Sequence, residues 1–205
     1  LFTRKEQKDI IPIVLILGWQ YGLLMQIPDA LAWRYNKATY PGKLAFFLNI
    51  TQPLIFFALV LTALIKLKMP LMNLLPALLT LVAYTLLIIM ETMTRKDYNI
   101  NPSPECKHLA YRWWDTPKTI LYLLSMILIM LALAPHWGYV VVSISIFIIS
   151  LIAAKIVSGK CQPGSLWCWS IAGAGVCIFV YYMVEKLRKA QVDSFESFIR
   201  VCFEK

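Results

Sequence analysis

The stretch Gln26-Ile-Pro-Asp-Ala-Leu-Ala-Trp33 closes the first long apolar run and places an acid, Asp29, where a membrane segment would leave the bilayer. Gly22, Gln26, Asp29 and Trp33 are spaced four, three and four apart, which puts them on one face of a helix. An ionisable group at the edge of a membrane helix can carry a proton, hold a cation or bond a solute. The plainer reading is a carboxylate in headgroup water with no further task. Asn49 and Gln52, three residues apart, share a face of the second apolar run, and Glu91 closes the third. Gln26, Asp29, Asn49, Gln52 and Glu91 therefore form a candidate intramembrane polar cluster. Such amides can line a polar pathway, but more often they join helices, at about 0.6–2 kcal/mol each.

Other chemistries find less to work with. The two histidines, His108 and His136, show no ligand spacing to a cysteine or carboxylate, so neither a metal site nor a cofactor is expected. The five cysteines include no close C-x-x-C pair. Cys177 reads as a small apolar residue in a span. Cys106 and Cys161 fall in loops on one expected face and are the pair a disulfide would join in an oxidising compartment. Ser165 and Asp29 share a leaflet, yet no base stands at motif spacing. Neither a Gly-x-Ser-x-Gly nor a phosphate-cradling glycine loop occurs. The expectation is a protein that is not an enzyme.

The elements that would position these residues follow from composition. The chain has 205 residues, 60% hydrophobic and 15% charged, with a mean hydropathy of +0.66. Apolar runs of about twenty residues recur throughout, the pattern of transmembrane helices. We expect an all-α polytopic bundle of about six spans: Ile10 to Ile27, Leu44 to Ile65, Leu71 to Met90, Lys118 to Ala134, Tyr139 to Val157 and Leu166 to Val184. Pro12 should sit in the first turn of span one, and Pro28 should kink or end it. Pro41-Gly42 reads as a turn within a loop from Arg34 to Lys43.

In the longest connection, Ser103-Pro104-Glu105 has the make-up of a helix start. The short interfacial helix it would open carries Cys106, Leu109, Ala110 and Trp113 on one side. Trp33, Trp113, Trp114, Trp167 and Trp169 are the expected anchors at headgroup level. Residues 186–205 read as a charged, amphipathic tail beyond a membrane domain of residues 1–185, with Val192, Phe195, Ile199 and Cys202 on its apolar face. The chain begins at Leu1, and its natural start is expected upstream.

Net charge is +9, with no Lys/Arg block and no nucleic-acid motif, so the expected partners are membrane lipids and proteins rather than nucleic acid. Six spans would divide the twenty basic residues ten to each face, which leaves orientation open. The same parity gathers Gln26, Asp29, Asn49, Gln52, Glu91 and the start of span six at one leaflet, with Arg34 or Arg112 at hand to neutralise an acid. The opposite turns look short and plain.

Three motifs, Gln26-x-x-Asp29-Ala-Leu-x-Trp33, Asn49-Ile-Thr-Gln52-Pro53 and Pro163-Gly-Ser-Leu-Trp-Cys-Trp169, resemble those of a family of polytopic membrane proteins from giant nucleocytoplasmic DNA viruses of the chlorovirus and mimivirus type. No catalytic residue is carried over. The resemblance implies a structural virion membrane protein, a minor capsid component in a host-derived internal membrane. It would tether that membrane to the icosahedral capsid shell through basic loops and the C-terminal tail. The alternative is a membrane transporter, channel or small-molecule-binding protein built on the polar cluster.

Overall fold

The first apolar run folds as one passage in two helical pieces, and the proline in its midst sets the break. In the computed structural model, which describes residues 4–35, 39–94, 101–102, 109–110, 116–133, 137–158, 173 and 175–192, α1 spans Arg4–Leu23 and α2 spans Gln26–Tyr35. Pro28 has no N–H for the carbonyl of Leu24, and its ring crowds that carbonyl. The ladder there tightens to three-residue steps. Leu24 N–H donates to Tyr21, Met25 N–H to Gly22 and Ile27 N–H to Leu24, at 3.1–3.2 Å. Gly22 thus lies before the break, and of the expected four-residue face only Gln26, Asp29 and Trp33 share one helix. Because α1 begins at Arg4, Pro12 falls inside the helix rather than in its first turn.

The loop expected from Arg34 to Lys43 is largely helix. The third helix, α3, runs Thr39–Leu67, so Pro41-Gly42 lies in its opening residues rather than in a loop turn. A proline there removes only an N–H that has no intrahelical partner. At about 1.5 Å per residue, 29 residues make α3 about 44 Å long, beyond the ~30 Å hydrocarbon core. Its end is a left-handed cap. Lys68 has φ 54°, with Lys68 N–H bonded to Ile65 at 3.2 Å and Met69 N–H to Leu64 at 2.9 Å. Pro70 follows, then a single 3-10 turn at Leu71–Leu74 leads into α4, Leu75–Thr94.

Helices α5, Thr116–Leu131, and α6, Trp137–Ser158, come next. A further helix, α7, covers residues 175–192, so the boundary drawn at the end of Val184 falls inside a continuous helix. Asn101–Pro102 pairs antiparallel with Leu109–Ala110. Leu109 and Ala110 are therefore extended, which corrects the interfacial helix expected across them; the rest of that stretch lies outside the described residues.

The architecture is an all-α bundle. Asp9–Ala32, Tyr40–Leu67, Leu71–Thr94 and Trp137–Val157 are each long and apolar enough to cross a membrane, and Pro117–Leu131 is apolar but shorter. The long α3 is the hub, packing on α1, α2, α4 and α5, while α4 and α5 form the most extensive pair. The surface is inverted relative to a water-soluble protein. Leu79, Ile149 and Ile156 are exposed by 64%, 64% and 74%, whereas Asp29, Asn49, Lys118, Ser125, Ser143 and Ser150 are buried. Contiguous apolar exposure on this scale marks contact with lipid or another protein. Threonines inside the helices (Thr62, Thr85 and Thr92 among them) return their hydroxyls to the carbonyl four residues back, at 2.7–2.8 Å.

A non-glycine residue in the left-handed region carries about 1–2 kcal/mol of strain. Lys68→Gly should therefore raise the thermal midpoint in detergent, the net gain being about 0.5–1 kcal/mol after glycine's own entropy cost. An unchanged or lowered midpoint would contradict the strained cap.

Candidate functional site

Buried polar side chains stand at and near the break between α1 and α2. Asp29 is 2% exposed and Asn49 4%. Both amide atoms of Gln26 and the Nδ2 of Asn49 are buried and have no hydrogen-bond partner among the described residues. Only residues 36–38 separate α2 from α3, and the two helices pack together, so α3 returns antiparallel to α2. Gln26 lies ten residues before residue 36 and Asn49 eleven after residue 38, which sets the two amides at similar depth. Backbone polarity is added by one proline. Pro53, inside α3, has no N–H to offer the carbonyl of Asn49, whereas the Leu24 carbonyl that Pro28 leaves accepts from Ile27 N–H. A buried carboxylate, two amides and the carbonyl of Asn49 can hold a water cluster, a cation or a small hydrogen-bonding solute.

The other members of the expected cluster are committed to separate helix pairs. The Tyr122 hydroxyl of α5 donates to Gln52 Oε1 of α3 at 2.5 Å. Lys118 Nζ, in the first turn of α5, meets Glu91 Oε2, in the last turn of α4, at 2.9 Å. Lys118 is thus a cation that neutralises Glu91, and Arg112 lies outside the described residues. Of the expected anchors, Trp33 stands on α2 with its side chain outside the described residues. Trp113, Trp114, Trp167 and Trp169 lie outside them altogether, as do Cys106, Cys161, His108 and His136. Among the described residues, no group of three or more His, Cys, Asp or Glu could hold a metal ion, and Cys177 is free and exposed.

Two features went unmarked in the sequence reading. The first is Trp19, 2% exposed, whose indole N–H donates to Ser143 Oγ at 2.7 Å and whose ring meets Phe56 and Phe147 at 6.0 and 5.4 Å. Its period gives no warning, because a tryptophan in an apolar run reads equally well as a lipid-facing residue. The second is a polar cluster at the membrane face that looked plain. There the Tyr139 hydroxyl of α6 donates to Glu185 of α7, whose other carboxylate oxygen accepts from Lys189 at 2.5 Å. Lys186 lies 5.5 Å above the Tyr182 ring and 4.0 Å from Asp9 of α1. The Tyr182 hydroxyl first, and then Asp9, hold its ammonium above the ordinary lysine range. The i, i+4 spacing of Glu185 and Lys189 and of Tyr182 and Lys186 was the available signal.

No known family model, no curated protein and no solved structure matches the chain.

If the Tyr122–Gln52 bond ties α3 to α5, a double-mutant cycle with Tyr122→Phe and Gln52→Leu should show a coupling of about 0.6–1.7 kcal/mol in detergent unfolding. Additive losses would remove that bond from the account of stability.

Proposed function

We propose that this chain is a structural integral membrane protein, a bonded helical framework whose charged ends are offered to a partner. The observation that carries the reading is how its interior polar groups are used. Trp19–Ser143 joins α1 to α6, Gln52–Tyr122 joins α3 to α5, and Ser125–Thr80 and Glu91–Lys118 join α5 to α4. Tyr21–Thr51 and Tyr139–Glu185 do the same for α1 with α3 and α6 with α7. A polar group bonded across helices stiffens the bundle and is not available to a passing solute. The motif likeness supplies the specific form of the proposal: a minor capsid component that links a virion's internal membrane to its shell. Lys186, Arg188 and Lys189, exposed on α7 past the apolar surface, are the side chains placed to reach a protein partner.

A second reading, a transporter, channel or binding protein for a small polar solute, is favoured by one observation: the buried amides of Gln26 and Asn49 at the helix break.

Cross-linking mass spectrometry on intact particles or native membranes tests the first reading. Links from Lys186 or Lys189 to shell proteins are expected, and links confined to copies of this chain would overturn the tether. Asn49→Leu separates the two readings. Removing a buried amide whose Nδ2 has no partner should cost the framework little or stabilise it, by up to about 1–3 kcal/mol. A binding protein would instead lose solute affinity with its fold intact.

A further inference from the structure

Where α4 ends and α5 begins, a cavity of about 280 Å³ opens on the side of the bundle, lined by Leu87, Met90, Glu91, Thr94, Pro117 and Lys118. It is near the low end of the volume range of ligand pockets, ~300–1,000 Å³. Its chemistry is divided. Leu87 and Met90 form an apolar wall, with Met90 63% exposed. At the other end stands the ion pair, Lys118 Nζ to Glu91 Oε2 at 2.9 Å, with side-chain exposures of only 7% and 19%.

Depth follows from position along the helices. Glu91 is in the last turn of a helix that ends at Thr94, and Lys118 is in the first turn of one that starts at Thr116. Both charges therefore sit where spans meet the headgroup layer, and the apolar wall runs inward from them. The start of α5 adds the partial positive charge of a helix N-terminus on the lysine side. We propose that this groove binds the headgroup of a zwitterionic phospholipid of the phosphatidylethanolamine type. Its phosphate faces Lys118 and the first turn of α5, its primary ammonium faces Glu91, and an acyl chain lies along Leu87 and Met90.

The match is one of charge order and not of net charge. A carboxylate and an ammonium in contact cancel each other for a simple anion, whereas a lipid that carries both charges can bridge the pair. A groove that is apolar inward and charged outward fits a molecule with the same polarity along its length. The inference depends on the bundle lying in a membrane and not on the tether proposed above, so either can fail alone.

Native mass spectrometry of the full chain from detergent micelles tests it, with phosphatidylethanolamine, a diacylglycerol of the same acyl chains and soluble phosphoethanolamine as probes. Phosphatidylethanolamine should be retained about tenfold over the diacylglycerol, the ratio expected from one charge-assisted hydrogen bond. Phosphoethanolamine should not displace it. The preference should vanish in Glu91→Gln/Lys118→Gln and also in the exchange Glu91→Lys/Lys118→Glu. The exchange keeps an ion pair between the helices and so guards against loss of fold in the first variant. Equal retention of the diacylglycerol would reduce the groove to an apolar contact. Displacement by phosphoethanolamine would make it a site for a soluble ligand, and a preference that survives the charge exchange would remove Glu91 and Lys118 from recognition. Each of these results overturns the proposal.

Discussion

Lipid offers no counterpart to the hydrophobic force that packs helices in water, so a membrane bundle depends on close contact and on hydrogen bonds between helices. In this protein both meet at the indole of Trp19. Its N–H is bonded to Ser143 on α6, and the Ser143 hydroxyl in turn donates to the sulfur of Met130 on α5 at 3.2 Å. Its ring rests between Phe56 of α3 and Phe147 of α6. Glycine makes the approach feasible. A Cβ on Gly18 would stand 2.4 Å from the Phe56 ring, and one on Gly175 would stand 2.6 Å from the Gln20 amide and 3.3 Å from the Trp19 Cβ. One side chain thus fixes α1 against α3, α6 and α7, and the bond beyond it reaches α5.

Of the other two helices, α2 continues α1 beyond the break and packs on α3, and α4 is held differently. It meets α5 through a hydroxyl pair, Ser125 to Thr80 at 3.2 Å, and through the ion pair at its end. These are bonds at two depths of one long contact, so α4 and α5 form a pair attached to the Trp19 framework through α3 and, at Met130, through α6. The pair also carries much of the outward apolar surface, including Leu78, Leu79, Val82, Leu86 and Ile89. The bundle therefore has a polar-bonded interior organised on α1, α3 and α6 and a lipid-facing flank organised on α4.

Much of this was legible in the sequence. Of the six expected spans, apolar runs located the four helices long enough to cross a membrane to within about five residues, and Pro28 announced a break, because a missing N–H is a covalent fact that no environment repairs. Pro41-Gly42 misled, since the same residues that make a turn in a loop are tolerated where a helix starts and its N–H groups lack partners anyway. The pairing of Leu109–Ala110 with Asn101–Pro102 makes those two residues extended where a helix was expected, which is what nonlocal hydrogen bonds do to propensity. The candidate cluster was legible as a set of polar residues at one leaflet but not as pairs. Which helix each amide faces depends on rotation about the helix axis, and a run apolar all round gives little information on rotation. Glu91 and Lys118 are the exception that could have been found. They close one span and open the next at the same face, so they were neighbours by topology.

The distribution of bonded and unbonded polar groups separates two parts of the interior. Gln52, Glu91, Ser125 and Ser143 each have a partner on another helix, and a buried amide or hydroxyl so partnered adds rigidity at little net cost. Gln26 and Asn49 stand apart. A buried polar group without a partner costs about 1–3 kcal/mol, and the unbonded atoms here, both amide atoms of Gln26 and the Nδ2 of Asn49, oppose the stability that the rest of the bundle builds. Asn49 and Gln52 share a helix face and a sequence neighbourhood, yet only Gln52 is bonded across to Tyr122. The difference is one of position. Gln52 looks toward α5, where a hydroxyl can meet it, while Asn49 lies at the level where α1 gives way to α2 and the backbone is interrupted by Pro28. Unbonded polar atoms at a broken helix lower the stability of the bundle, and the groups partnered across helices elsewhere offset that loss.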